Sequence, residues 1–145
     1  DRSFRFCDHY AVNALLLYFA QQAKNQETDF EAMVQVPEDL NIPDNVLSVL
    51  LGNLLENALE ASRHVETDKR KITIKSVCSG GMILFKISNT YAGTLLPNKN
   101  GLYLSTKHTG SGIGLASVRS IVEQNRGRME ITHTDTQFIV TVMLG

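Results

Sequence analysis

The sequence predicts a two-layer α/β sandwich, with a mixed, mostly antiparallel sheet covered by helices on one face. Three observations predict it. Three segments place apolar residues at helical spacing, two pairs of alternating segments joined by short turns read as hairpins, and their order is helix, strand, helix, strand, strand, long connection, helix, strand, strand.

The first helix is expected from about Asp8 to Lys24, where Val12, Leu15, Leu16, Phe19 and Ala23 share a face. Residues 28–36 alternate Phe30, Ala32, Val34 and Val36 against Glu31, Met33 and Gln35, a strand pattern. Pro37 and Pro43 then punctuate the chain, and Asp44 has the chemistry of an N-cap for the next helix. That helix, Val46 to about His64, has the broadest apolar stripe: Val46, Leu47, Leu50, Leu51, Leu54, Leu55, Ala58 and Leu59. Ile72–Cys78 and Met82–Ser88 flank Ser79-Gly80-Gly81, a hairpin signal. Between Asn89 and Gly110 the pattern is lost, as in a functional or mobile connection. Gly112 to Asn125 reads as the last helix, with Ile113, Ala116, Val118, Ile121 and Val122 apolar and Gly127 ending it. Arg128–His133 and Gln137–Leu144 close the chain as a second hairpin.

The chain's 145 residues are expected to form one domain, 1–145, with a real core. A net charge of −1 gives no bulk field for nucleic acid or anionic membrane, so any phosphate site must be local geometry. Cys7 and Cys78 make neither a metal spacing nor a disulfide framework, which points to a reducing, intracellular setting. No apolar run approaches the roughly 20 residues of a membrane span. Because the chain starts at Asp1 and enters a helical pattern almost at once, it reads as a piece of a longer protein.

Three constellations carry chemistry. Asn53 and Asn57 lie four apart, about 40° around a helix, so their amides project together. Asparagine competes with helix hydrogen bonds, and a side-chain carbonyl is a hard ligand suited to Mg²⁺. The pair is equally readable as solvated amides or as a helix-to-sheet bond. Gly110-Ser111-Gly112-Ile113-Gly114-Leu115 opens the last helix, where free N–H groups can meet phosphate; it is also readable as a hinge. No strand precedes it and no Gly-Lys-Ser/Thr ends it, so neither a dinucleotide fingerprint nor a Walker loop fits. Asn89, with Tyr91 and Gly93 close behind, leaves a buried strand where it could bond a base edge or make a plain turn.

Taken in order, these features resemble the nucleotide-binding superfamily of DNA gyrase, the Hsp90 chaperones, the MutL repair proteins and the histidine kinases. The histidine kinases are most similar, especially the peptide-sensing quorum kinases of Gram-positive bacteria. The run from Asn53 to Ala61 resembles their asparagine box, and Ser105-Thr106-Lys107 with the glycine run at 110–115 resembles their lid and second glycine box. Thr136-Gln137-Phe138 resembles their terminal strand. The resemblance implies the left-handed (Bergerat) ATP-binding sandwich with ATP and Mg²⁺ as ligands. Asn57 would hold the metal, with Asn53 lining the same pocket. Gly110, Gly112 and Gly114 would bring backbone amides to the phosphates, and Leu115 would close on the base. Lys107 on the lid (Asn89 to Gly110) would neutralise the γ-phosphate, and Thr136 would support the adenine end from the last strand. Most relatives have Asp-x-Gly-x-Gly where this chain has Asn89, Tyr91 and Gly93. An Asn oxygen still accepts from an adenine amino group, less strongly than a carboxylate.

ATP-hydrolysing members carry a glutamate at the position of Asn53, and an amide cannot take a proton from water. Glu56 does not replace it, being about 100° around the helix from Asn57. A neutral imidazole needs no such base, so Asn53 favours transfer to histidine. None of His9, His64, His108 or His133 fits the acceptor role; each reads as surface or structural. The expected partners are a phosphoacceptor-histidine hairpin upstream, which also makes a homodimer, and a response regulator, with this fragment monomeric. By resemblance it is a cytoplasmic domain of a bacterial membrane-anchored sensor.

Overall fold

A computed structural model describes residues 4–93, 95–97, 103–105 and 110–145, with side chains for 4–93 and 114–145. Helices α1 (Tyr10–Asn25), α2 (Asp44–Ser62) and α3 (Gly110–Gln124) alternate with strands β1 (Asp29–Met33), β2 (Lys71–Ser79), β3 (Met82–Thr90), β4 (Leu95–Pro97), β5 (Tyr103–Ser105), β6 (Arg128–His133) and β7 (Gln137–Leu144). The main sheet has the order β1-β2-β3-β7-β6. Its β1–β2 pair is parallel and the other three pairs are antiparallel, as expected of a mixed sheet.

Strand alternation decides which face is covered. On β2, β3 and β7 the residues Ile72, Ile74, Ile83, Phe85, Ile87, Phe138, Val140, Val142 and Leu144 are buried beneath the helices. Their neighbours Lys75, Val77 and Lys86 stand exposed on the other side. α2 lies over β2 and β3, α3 over β6 and β7, and α1 against β1 and α2. The six buried leucines of α2 (47, 50, 51, 54, 55 and 59) contribute roughly 1.5–3 kcal/mol each. Gly52, Asn53 and Asn57 cost that helix only about 2–2.5 kcal/mol together in propensity. Packing therefore outweighs propensity, and the helix carries two amides and a glycine without breaking.

Caps set the helix ends. His9 caps α1: its Nδ1 accepts from the Val12 N–H at 3.2 Å and its Nε2 lies 3.3 Å from Asp44 Oδ1. Asp44 is thus not the N-cap expected from the sequence. It is the first residue of α2, Pro43 takes the cap position without a side-chain bond, and the carboxylate faces His9. Both α1 and α3 end in a Schellman motif on a non-glycine residue. Glu27 (φ 57°) and Arg126 (φ 56°) are left-handed, with Thr28 N–H on the Ala23 carbonyl and Gly127 N–H on the Val122 carbonyl, each at 2.8 Å. The sequence reading gave the helix end to Gly127; the left-handed residue is Arg126. Gly127 is required by contact: a Cβ there would meet the Met143 carbonyl and come within 2.7 Å of Leu144 Cδ2.

A turn, a strand stop and a clamp complete the frame. Gly80 (φ 59°) and Gly81 (φ 82°) give the β2–β3 hairpin two left-handed central residues, as a type I′ turn needs. β1 stops at Met33, short of the expected 36, because Ser76 Oγ takes over from the ladder. It accepts from Gln35 N–H at 2.9 Å and donates to the Gln35 carbonyl at 3.2 Å. Arg70 donates to three carbonyls, Gln26 at 2.7 Å, Val65 at 2.8 Å and Arg63 at 3.1 Å, so one guanidinium ties the ends of α1 and α2 together.

The stretch 89–110 is more regular than expected. β3 runs on through Asn89 to Thr90, α3 begins at Gly110, and β4 and β5 pair antiparallel between them. Three-residue strands are too short to display alternation in sequence. No helix among the described residues is long and apolar enough to cross a membrane, and both cysteines are free.

Candidate functional site

Asn57 lies in the buried half of α2, 7% exposed, and its Oδ1 is buried with no hydrogen-bond partner. An unpaired buried carbonyl costs about 1–3 kcal/mol. Its chemistry is that of a hard-cation ligand, so an oxygen-binding divalent ion such as Mg²⁺ fits the atom.

Asn53, one turn earlier, is only half-buried. Its Nδ2 donates to the Val49 carbonyl at 3.0 Å, which leaves Oδ1 free of that bond. It faces α3: a Cβ placed on Gly114 would lie 3.8 Å from the Asn53 carbonyl and 3.9 Å from its Oδ1. The fold therefore brings the first amide of the Asn53–Asn57 pair against the glycine run, which sequence spacing alone could not show.

Gly110 and Gly112 fall in the first turn of α3, whose leading N–H groups lack intrahelical acceptors. Leu115 is buried in the core at 1% exposure. Lys107 lies outside the described residues, as do 94, 98–102, 106, 108 and 109 of the expected lid.

At the other end, Asn89 is 2% exposed and pairs in register with Phe138. Its Nδ2 donates to the Thr90 carbonyl at 2.9 Å, so part of the amide's donor capacity is spent on its own strand. Gly93 has φ 93°, a conformation that requires glycine. Thr136 is exposed in the β6–β7 turn and is not part of the last strand as expected; its carbonyl accepts from Tyr91 N–H at 3.1 Å. Burial, and then the Asp135 carboxylate, push the Tyr91 phenol above its ordinary range.

One residue that the sequence did not single out stands out here. Arg119 Nε on α3 is the other buried side-chain polar atom without a partner among the described residues. The sequence signal was a lone cation within α3. His9, for which the sequence offers a surface or a structural reading, is structural: it is the buried cap of α1. His64 is exposed near Glu60, and His133 lies at the end of β6.

Residues 41–145 match the GHKL domain family. The chain is 32% identical over 112 residues to the sensor protein FixL of Bradyrhizobium diazoefficiens, covering 74% of this chain and 22% of that protein. It is 30% identical over 126 residues to the sensor histidine kinase ZraS of Escherichia coli K12, covering 83% and 26%. The chain thus spans about a quarter of the length of these relatives. Among solved structures, the nucleotide-free catalytic domain of histidine kinase ThkA superposes with a TM-score of 0.70 at 22% identity, covering 93% of this chain and 90% of that one. ThkA in complex with the response regulator TrrA gives 0.68 at 19% identity, covering 93% and 39%. The fold of histidine kinase catalytic domains, the matched family and these relatives agree: the chain belongs to the GHKL domain family, in the form carried by sensor histidine kinases.

Proposed function

We propose that this domain binds Mg-ATP and passes the γ-phosphate to a histidine on a separate helical hairpin of the same sensor kinase. The observation that carries the proposal is the orphaned, buried Asn57 Oδ1, on the helix whose Asn53 faces the glycine run of α3. When bound, Mg²⁺ would neutralise phosphate charge and hold the phosphates in one geometry. Asn57 Oδ1 supplies the ligand atom, and the first-turn N–H groups at Gly110 and Gly112 meet phosphate oxygens. Asn89 accepts from the base with Gly93 and Thr136 at the same end, Leu115 closes on the base from α3, and Lys107 offsets the γ-phosphate charge. The acceptor imidazole attacks with its own lone pair, forming the N–P bond as the bond to the leaving ADP breaks. Asn53 then lines the pocket without acting as a base, since an amide takes no proton. The orphaned Arg119 Nε is in keeping with an anionic ligand on α3.

Asn89 and Tyr91 in place of Asp-x-Gly support a place in the peptide-sensing quorum-kinase branch. The remaining proposals are a cytoplasmic setting in a membrane-anchored sensor, a dimer made by the hairpin, and a response regulator as the next acceptor. The same two residues favour one other reading, a docking module that no longer uses nucleotide.

Calorimetry with a non-hydrolysable ATP analogue and Mg²⁺ separates the two readings, because absence of heat at high micromolar protein supports the docking module. The site assignment is tested by Asn57→Ala with labelled ATP and a phosphoacceptor hairpin. Transfer is expected to vanish while the fold survives, and undiminished transfer by the folded variant removes the metal assignment.

A further inference from the structure

Past the end of β3 the chain keeps hold of the last hairpin through one residue. Tyr91 N–H donates to the Thr136 carbonyl at 3.1 Å, and its phenol hydroxyl donates to the Thr134 carbonyl at 2.6 Å. Its ring meets Phe138 edge-on, with 6.5 Å between centroids and planes at 74°. The β6–β7 turn is braced from within as well: Thr134 Oγ1 accepts from Thr136 N–H at 3.3 Å and from Gln137 N–H at 3.0 Å. Tyr91 therefore grips a turn that already has its own internal bonds, which is more than the turn needs in order to form.

Position explains the excess. Side chains alternate along an extended strand, so Tyr91 leaves on the same face as Asn89, two residues before it. That face is the helix-covered one, where Asn89 is buried and Phe138 lies opposite it in register. Tyr91 is itself packed against the core. An aromatic ring beside a buried amide offers an apolar wall and a hydrogen-bonding edge, the two features by which a flat heteroaromatic base is held. The tyrosine stands where most relatives have the first glycine of the box, so the ring adds a wall that a glycine lacks.

We propose that Tyr91 is a positioning and specificity-determining residue for the base end of the nucleotide site: its ring walls the base beside Asn89, and its hydroxyl latches the β6–β7 turn so that Thr136 stays in place. This rests on the Mg-ATP reading above and narrows it to one end of the ligand.

The test compares wild type, Tyr91→Phe and Tyr91→Leu in calorimetric titrations with two probes, each with Mg²⁺: a non-hydrolysable ATP analogue and inorganic tripolyphosphate, which has no base. Tyr91→Phe keeps the ring and loses the latch, and is expected to weaken the ATP analogue about fivefold, or about 1 kcal/mol, while tripolyphosphate binding is unchanged. Tyr91→Leu loses ring and latch and is expected to weaken the analogue further, again sparing tripolyphosphate. Equal losses for both probes would show a general structural role and overturn the assignment. So would analogue affinity indifferent to both substitutions, with the Mg-ATP reading left standing. Wild type that takes up neither probe removes that reading and this assignment with it.

Discussion

Asn53 stands against Gly114 without crowding it: a Cβ added to the glycine would sit 3.8 Å from the Asn53 carbonyl, in ordinary van der Waals contact. The glycine is thus not demanded by packing between α2 and α3. Gly114→Ala should leave the fold intact and raise stability by about 0.5–1 kcal/mol, the helix-propensity difference, measured by urea denaturation. Loss of nucleotide binding in this stable variant would then report on the ligand's need for space. Marked destabilisation would show that the two helices approach more closely than described.

At the far end of the same helix the glycine is demanded by packing. Gly127→Ala drives a methyl into the Met143 carbonyl and Leu144, and should cost about 2 kcal/mol or more. Arg126→Gly relieves a left-handed non-glycine residue and should stabilise by about 0.5–1 kcal/mol. Thermal denaturation of the two variants should move the midpoint in opposite directions.

Arg70 is a three-carbonyl clamp, and a lysine ammonium cannot reproduce its planar fork. Arg70→Ala should destabilise by about 2 kcal/mol, and Arg70→Lys should recover less than half of that in denaturant titrations. Full recovery by lysine would mean that charge alone matters there.

Alkaline pH should erode stability. Burial pushes the Cys7 thiol above its ordinary 9.0; a hydrogen bond to the His9 backbone and the Arg5 charge oppose the rise, and Asp8 adds to it. Burial and Asp135 push the Tyr91 phenol above 10.0. Each native group keeps its proton at a pH where the unfolded chain has lost it. Stability is therefore whole below the unfolded values and falls as pH climbs through the native ones. Lys69, raised by its bond to Glu66, has the same sign but is fully exposed and screened. Denaturation from roughly pH 8 to pH 11 should show the decline, and Cys7→Ala and Tyr91→Phe should each flatten it.

The sequence on its own determined the architecture, because side-chain periodicity is a direct consequence of which face meets water. The leucine stripe of α2, the alternation of β2, β3, β6 and β7, and the Gly80-Gly81 turn were all legible, as were the amide pair and the glycine run. The tertiary structure alone decided matters that depend on distant partners. Periodicity could not say that β1 would be cut short by the Ser76 hydroxyl, that Asp44 would serve His9 and not its own helix, or that Arg126 and not Gly127 would turn the chain. It could not show Asn57 Oδ1 left unpaired, Gly114 set against Asn53, or Tyr91 clasping Thr134. The reason is range. Burial of a face is encoded every two or every three to four residues, whereas a hydrogen-bond partner is chosen among groups that only the folded chain brings within reach.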